Sequence, residues 1–99
     1  MLSASQLNTL RRLLDRLIPK DQDPSACEAG VDLFVADLLS GDAKELAELI
    51  KAGLDTLEAG SFSGMSERDQ DALLETFDPV FMARITELCA QGYYGRPPR

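Results

Sequence analysis

Apolar residues recur every three or four positions through residues 3–18 of the chain: Leu7, Leu10, Leu13, Leu14, Leu17 and Ile18. This spacing predicts an amphipathic helix with one buried face. Ser3 or Ser5 can cap its start, because a serine hydroxyl accepts the unpaired backbone N–H groups of a first turn. Pro19 is expected to end the helix, since proline cannot continue its hydrogen-bond ladder.

A polar connector, KDQDPSA, leads to a second apolar pattern. Ser25 and Glu28 stand three apart, which is the spacing of a capping box, so a second helix is expected to follow directly. Gly41 is expected to end it. Cys27 lies one turn before the residues predicted to form its inner face, which are Val31, Phe34, Val35 and Leu38.

The third predicted helix, DAKELAELIKAGLDTLEAG, carries a glycine on its apolar face. Asp42 and Glu45 repeat the capping spacing before it. Gly53 falls on the apolar stripe, where glycine costs about 1 kcal/mol relative to alanine. Close approach by a neighbouring helix would explain this glycine. The stripe itself consists of Leu46, Leu49, Ile50, Leu54 and Leu57.

Two further helices complete the pattern. SFSGMS is a predicted loop, with the apolar Phe62 and Met65 tucked under the domain. Ser66 is expected to cap a fourth helix, and Asp78 with Pro79 is expected to open a fifth. The predicted inward residues are Ala72, Leu73 and Phe77 in the fourth helix, and Phe81, Ile85, Leu88 and Cys89 in the fifth.

The periodicity shows five short helices and no convincing strand, so the predicted fold class is all-α. Ninety-nine residues suit a compact single-domain bundle of about five short helices, covering residues 1–99. A chain of this length can bury one core, with little room for a sizeable internal pocket. An independent enzyme or small-molecule binder is therefore disfavoured.

Charge and composition remove several classes of function. The formal net charge is −7, which disfavours nucleic acid and anionic membranes as partners. Arg11, Arg12 and Arg16 form the nearest basic cluster, but Asp15 is interleaved with them. The chain has no histidine, so Ser-His-Asp triads, Cys-His pairs and histidine metal sites are excluded. No apolar run reaches the thickness of a bilayer, so no membrane insertion is expected.

The two cysteines, Cys27 and Cys89, are too few and too far apart for a zinc site. We interpret them as small buried apolar residues, with a disulfide left open. Asp21, Asp23 and Glu28 lack the alternating ligands and the central glycine of an EF-hand loop. We therefore predict no catalytic residue, no bound cofactor and no metal site in this chain.

Four stretches resemble segments of one protein family. LIPKDQDPSACEAGV resembles the pattern IP…D…P.A.EAGV near the start of the gluconate 2-dehydrogenase subunit 3 family. AGLDTLEAG resembles the family's central GL..L helix, FSGMSERDQDALLETF its F..LS…R.ALL segment, and GYYGRPP its closing GYY..P. The stretches follow the family's order and span nearly the whole chain. The matching residues are Ile18, Pro19, Asp21, Pro24, Ala26, Glu28, Ala29, Gly30, Val31, Gly53, Leu54, Leu57, Gly92, Tyr93, Tyr94 and Pro97.

The resemblance implies a non-catalytic small subunit. Members of this family pair with a large flavoprotein of the GMC type that oxidises a sugar or sugar acid, so FAD is expected in the partner. The small subunit is thought to support assembly, stability and export through a twin-arginine leader. The sequence shows no such leader and lacks the family's glycine-rich extension after the tyrosines. As written, the chain is expected to be cytoplasmic, or periplasmic if a leader was removed or the partner carries one.

The partner interface is predicted around the C-terminal tyrosines. Adjacent helical residues cannot face the same way, so one of Tyr93 and Tyr94 should turn inward and the other toward a partner. Glycines allow close approach of a backbone, and prolines keep a tail extended. The alternative function is a free-standing helical adaptor, with homodimerisation through the same surface. The predicted interface residues are Gly92, Tyr93, Tyr94, Gly95 and Pro97, together with Glu28 and Gly30, for both of which packing within the domain is an equal or better explanation.

Overall fold

The structure, a computed structural model, describes residues 2–21, 23–41 and 44–94. Within these ranges it contains no strand, which confirms the predicted all-α class. A short 3-10 turn, Phe62–Gly64, separates the third and fourth helices. The helices are α1 Ala4–Leu17, α2 Val31–Leu39, α3 Lys44–Ala59, α4 Glu67–Thr76 and α5 Pro79–Tyr94.

Helix α1 lies at the centre of the bundle and contacts each of the other four helices. Its apolar stripe explains this position, because Leu10, Leu13 and Leu14 are fully buried and meet neighbours from several directions. Phe62 is also fully buried, as predicted, so the loop before α4 is fixed beneath the bundle. The buried amide of Gln70 donates to the Phe62 carbonyl at 2.8 Å and closes this loop.

Side-chain caps start the helices largely as predicted. Ser3, rather than Ser5, caps α1: its hydroxyl accepts the Gln6 backbone N–H at 3.0 Å, and the Gln6 side chain accepts the Ser3 N–H at 2.9 Å. Ser66 caps α4, and the Asp78 carboxylate accepts the Val80 N–H at 3.0 Å. Asp42, the predicted cap of α3, lies outside the described residues.

The predicted start of the second helix was wrong. Ser25 and Glu28 do form the reciprocal bonds of a capping box, with distances of 3.0 and 3.3 Å. They close only a turn, because Gly30 adopts a left-handed conformation with φ of 82° and interrupts the helical path. Helix α2 therefore begins at Val31.

Two predicted inner faces also need correction. In α2, Leu38 is 36% exposed while its neighbour Leu39 is buried, because the helix turns the side that carries Val31, Val35 and Leu39 toward the core. In α4, Ala72 is exposed and Leu74 takes the buried position. Helix α5 buries the residues predicted for it: Phe81, Ile85, Leu88 and Cys89.

Gly53 lies where a side chain of α5 packs directly onto the backbone of α3, in agreement with the close neighbour predicted from its position. A Cβ atom built at Gly53 would lie 2.1 Å from Cδ1 of the Phe81 ring. Phe81 is buried and packs edge-on against Phe77, with ring centroids 5.3 Å apart. The hydrogen atom in place of a side chain at Gly53 therefore makes room for this ring.

Arg16 joins α1 to α4 through a bidentate pair with Asp71, in which Nε and Nη2 donate to the two carboxylate oxygens at 2.9 Å each. Glu67 lies 3.3 Å from the same guanidinium. The hydrogen bond from Arg16 lowers the pKa of Asp71. Paired geometry of this kind is stronger than an ordinary surface ion pair.

We expect Asp71→Asn to lower the urea midpoint of unfolding at neutral pH. A carboxylate with a lowered folded-state pKa stabilises the fold above its unfolded pKa of ~4, and this contribution is lost as pH falls through the folded value. The difference between variant and wild type should therefore disappear in strong acid. Urea titrations at both pH values test this, with Glu75→Gln on the same helix as a control. An equal deficit at both pH values would contradict it.

Candidate partner-binding surface

The last turn of α5 holds three of the residues predicted for the interface, Gly92, Tyr93 and Tyr94, and they face in different directions. Gly95 and Pro97 lie outside the described residues. Glu28 and Gly30 lie in the turn that precedes α2. The described residues of the predicted interface therefore do not form one continuous group.

Gly92 faces the interior, where it allows α2 to approach. A Cβ atom at this position would lie 2.8 Å from Cδ2 of Phe34 and 3.0 Å from Cγ1 of Val31. The close approach predicted for this glycine is made by the chain's own helix. Its packing fixes the rotation of α5 about its axis and so sets the directions of the two residues that follow.

Tyr93 turns toward the connector between α1 and α2. Its hydroxyl donates to the Pro24 carbonyl at 2.7 Å, and its half-buried ring packs against the core. Partial burial raises the pKa of this hydroxyl, and the carboxylate of Asp23 raises it further. Tyr93 is therefore the inward ring of the pair; the sequence predicted one inward ring without indicating which.

Tyr94 turns outward, with 75% of its surface exposed. Its ring stands edge-on to that of Tyr93, with centroids 4.8 Å apart and planes at 70°. Beside it lies a groove of about 230 Å³ between the end of α1 and the end of α5. We call this surface the C-terminal patch; it is lined by Leu17, Ile18, Thr86, Cys89, Ala90 and Tyr94.

The sequence did not indicate the α1 side of the patch. Leu17 and Ile18 were assigned to the inner stripe of α1, yet both are only half-buried. They lie at the C-terminal end of α1, directly before the connector, so no later turn of α1 covers them. No local signal distinguishes such residues from core leucines, because their exposure depends on where α5 lies.

Glu28 and Gly30 have roles within their own turn. The Glu28 carboxylate accepts the Ser25 backbone N–H at 3.0 Å and a bond from the Lys20 ammonium at 3.3 Å. These bonds lower the pKa of Glu28, the Ser25 bond most. Gly30 supplies the left-handed backbone that starts α2. Local structure explains both residues without a partner.

Both cysteines are free thiols in protected positions. Cys89 is buried, and Cys27 is half-buried with its Sγ donating to the Arg11 carbonyl at 3.4 Å. Burial, with a smaller contribution from Asp15, raises the pKa of Cys27 to about 12 and that of Cys89 to about 11. The Asp15 carboxylate also accepts the Cys27 backbone N–H at 3.0 Å. Since the thiolate is the nucleophile, these thiols are poorly reactive at neutral pH.

We expect Asp15→Asn to increase the reactivity of Cys27 toward a thiol reagent at pH 8 several-fold. Removing the negative charge lowers the pKa of Cys27 and so increases its thiolate fraction. The rate of reaction with Ellman's reagent measures this. Adding Cys27→Ser to the variant should abolish the gain. If the gain persists, it belongs to Cys89 and the assignment fails.

The polar groups elsewhere do not gather into a reactive centre in the ranges that the structure describes. No group of three or more His, Cys, Asp or Glu residues there is arranged to hold a metal ion. Two of the clustered arginines are engaged in ion pairs, Arg11 with Asp32 at 2.9 Å and Arg16 with Asp71. No described helix is both long and apolar enough to cross a bilayer.

The described residues form an all-α domain with an exposed tyrosine beside a groove, and the chain therefore belongs to the class of small helical domains. Within that class, comparison with family models gives the assignment. The model described as gluconate 2-dehydrogenase subunit 3 matches residues 4–98, so the chain belongs to this family. The match confirms the resemblance seen in the sequence. No curated protein and no solved structure matches the chain.

Proposed function

We propose that this chain is a non-catalytic small subunit that binds and stabilises the flavin-dependent, GMC-type catalytic subunit of a sugar or sugar-acid dehydrogenase. Its membership of the subunit 3 family over residues 4–98 carries this proposal, because the family name denotes one subunit of a dehydrogenase complex. FAD and the substrate-binding residues would belong to the large subunit.

The side-chain chemistry of the chain supports an accessory role. The sequence contains no histidine to act as a general base near neutral pH. Its two thiols have pKa values of about 12 and about 11, too high to supply a nucleophile. Redox chemistry on a sugar requires a hydride acceptor, which protein side chains do not provide and a flavin does.

The C-terminal patch is the surface that we assign to the large subunit. Tyr94 offers a broad apolar ring with a polar tip and has few rotatable bonds, the properties that enrich tyrosine at interfaces. The adjacent groove is large enough for an aliphatic or aromatic side chain of the partner. Burying both on association would remove apolar surface from water at the centre of the contact.

Co-expression with a GMC-type flavoprotein dehydrogenase from the same genome tests the proposal. Affinity purification of the small subunit should recover a flavin-bearing chain at equal stoichiometry, and omitting the small subunit should lower the soluble yield of the flavoprotein. Sedimentation of the isolated small subunit tests the alternative of a self-pairing adaptor. Recovery of a stable homodimer without any flavoprotein would reject the accessory-subunit proposal in favour of that alternative.

A further inference from the structure

The exposed and the half-buried tyrosine at the end of α5 are physically coupled. Tyr93 is tied to a distant part of the chain by the 2.7 Å bond from its hydroxyl to the Pro24 carbonyl. That distance is the usual one for a hydroxyl that donates to an oxygen, so the bond is well formed. Tyr94 makes its ring contact with Tyr93, edge-on at 4.8 Å.

The backbone beneath the pair is also fixed. Gly92 is buried against Phe34 and Val31, so the last turn of α5 cannot rotate without losing that packing. Successive helical residues project about 100° apart. With Gly92 inward, Tyr93 is directed at the connector and Tyr94 is directed away from the bundle.

We propose that Tyr93 is a positioning residue, which holds the Tyr94 ring in its outward orientation before the partner arrives. This inference rests on the proposed function, because it specifies how the C-terminal patch is prepared for the large subunit. The Pro24 bond fixes the Tyr93 ring, and that ring supports one edge of the Tyr94 ring. A side chain that is already ordered loses less conformational entropy on association, so binding is more favourable.

Tyr93→Phe separates positioning from simple packing, because it keeps the ring and deletes the hydroxyl. We expect the variant to dissociate from the flavoprotein about 2- to 10-fold faster, the range that follows from ordering one side chain. The association rate should change less, as is usual among variants of one interface. Surface plasmon resonance with the co-purified large subunit measures both rates.

A second readout uses the isolated small subunit. The chain contains two tyrosines, so ¹³C ring relaxation of labelled tyrosine reports Tyr94 without overlap from other residues once Tyr93 is phenylalanine. We expect the order parameter of the Tyr94 ring to fall in Tyr93→Phe. Ser63→Ala is the matched control, since it removes another donating hydroxyl, which bonds to Glu58 at 2.8 Å and does not line the C-terminal patch. The control should leave the Tyr94 ring and both rates unchanged.

The outcomes distinguish the two proposals. If the wild-type chain binds no flavoprotein, the proposed function is rejected, and the positioning role of Tyr93 is rejected as well. If the wild type binds but Tyr93→Phe shows unchanged ring order and dissociation, only the positioning role is rejected. A loss of unfolding stability alone, with the Tyr94 ring and the rates unaffected, would make Tyr93 a structural residue and would also reject it.

Discussion

Replacing Tyr94 by alanine is expected to weaken binding of the proposed flavoprotein partner by about 30-fold or more, the effect of losing an interface hot spot worth about 2 kcal/mol. The ring is 75% exposed in the free chain, so its removal should leave the free energy of unfolding almost unchanged. Titration calorimetry with the purified large subunit measures the first quantity, and urea unfolding of the isolated chain measures the second.

Leu33→Ala is the matched control for this experiment. Leu33 is 64% exposed on α2 and does not line the C-terminal patch, so its truncation removes comparable apolar surface elsewhere. It should bind like the wild type. Equal weakening by both variants would place the contact over a wider surface than the patch, and wild-type affinity of Tyr94→Ala would remove Tyr94 from the interface.

The second large effect concerns the fold. Gly53→Ala is expected to destabilise the isolated chain by about 1–2 kcal/mol, although alanine is the better helix former. The new methyl group would overlap two atoms of the Phe81 ring, which places the overpacking cost in the upper part of its usual range, about 2–3 kcal/mol. The higher helix propensity of alanine offsets about 1 kcal/mol of this destabilisation. Thermal unfolding should show a melting temperature several degrees lower.

Removing the ring should reverse the sign of this effect. Phe81→Ala alone is expected to cost about 3–5 kcal/mol, because the ring is fully buried. In that background Gly53→Ala should stabilise by about 1 kcal/mol, since the clash is absent and only the helical preference remains. The effect of Gly53→Ala on the free energy of unfolding should be measured in sucrose, both in the wild type and in Phe81→Ala, because sucrose stabilises the folded state of all four proteins. Gly64→Ala, whose methyl would meet no atom within 4 Å, is the control. Additive effects at Gly53 and Phe81 would contradict the proposed contact.

The pattern of apolar residues predicted the helices because their periodicity and caps are local properties. Ser3, Ser66 and Asp78 all accept backbone N–H groups at helix starts. The start of α2 was missed because two local features act against each other there. The capping box at Ser25 was real, but a left-handed Gly30 interrupted the helix that the box was expected to start.

Burial was harder to predict wherever two apolar residues are adjacent. Leu38 and Leu39 differ by one position, so a modest rotation of α2 about its axis decides which of them faces the core. The same limit applies to the candidate site. That Tyr93 and Tyr94 face different directions follows from helical geometry alone. The Pro24 carbonyl that holds Tyr93 could not be foreseen, because it comes from a connector far away in sequence.

The C-terminal patch has one further consequence for how the cell handles this chain. One side of the patch is made by α1, which the ribosome produces early, and the other by α5, which it produces late. A fragment that stops before α5 therefore has no patch, and a misfolded chain in which these helices fail to meet does not assemble one. A partner that binds this surface would therefore bind complete, folded subunits and not incomplete ones. No separate quality-control step would be needed.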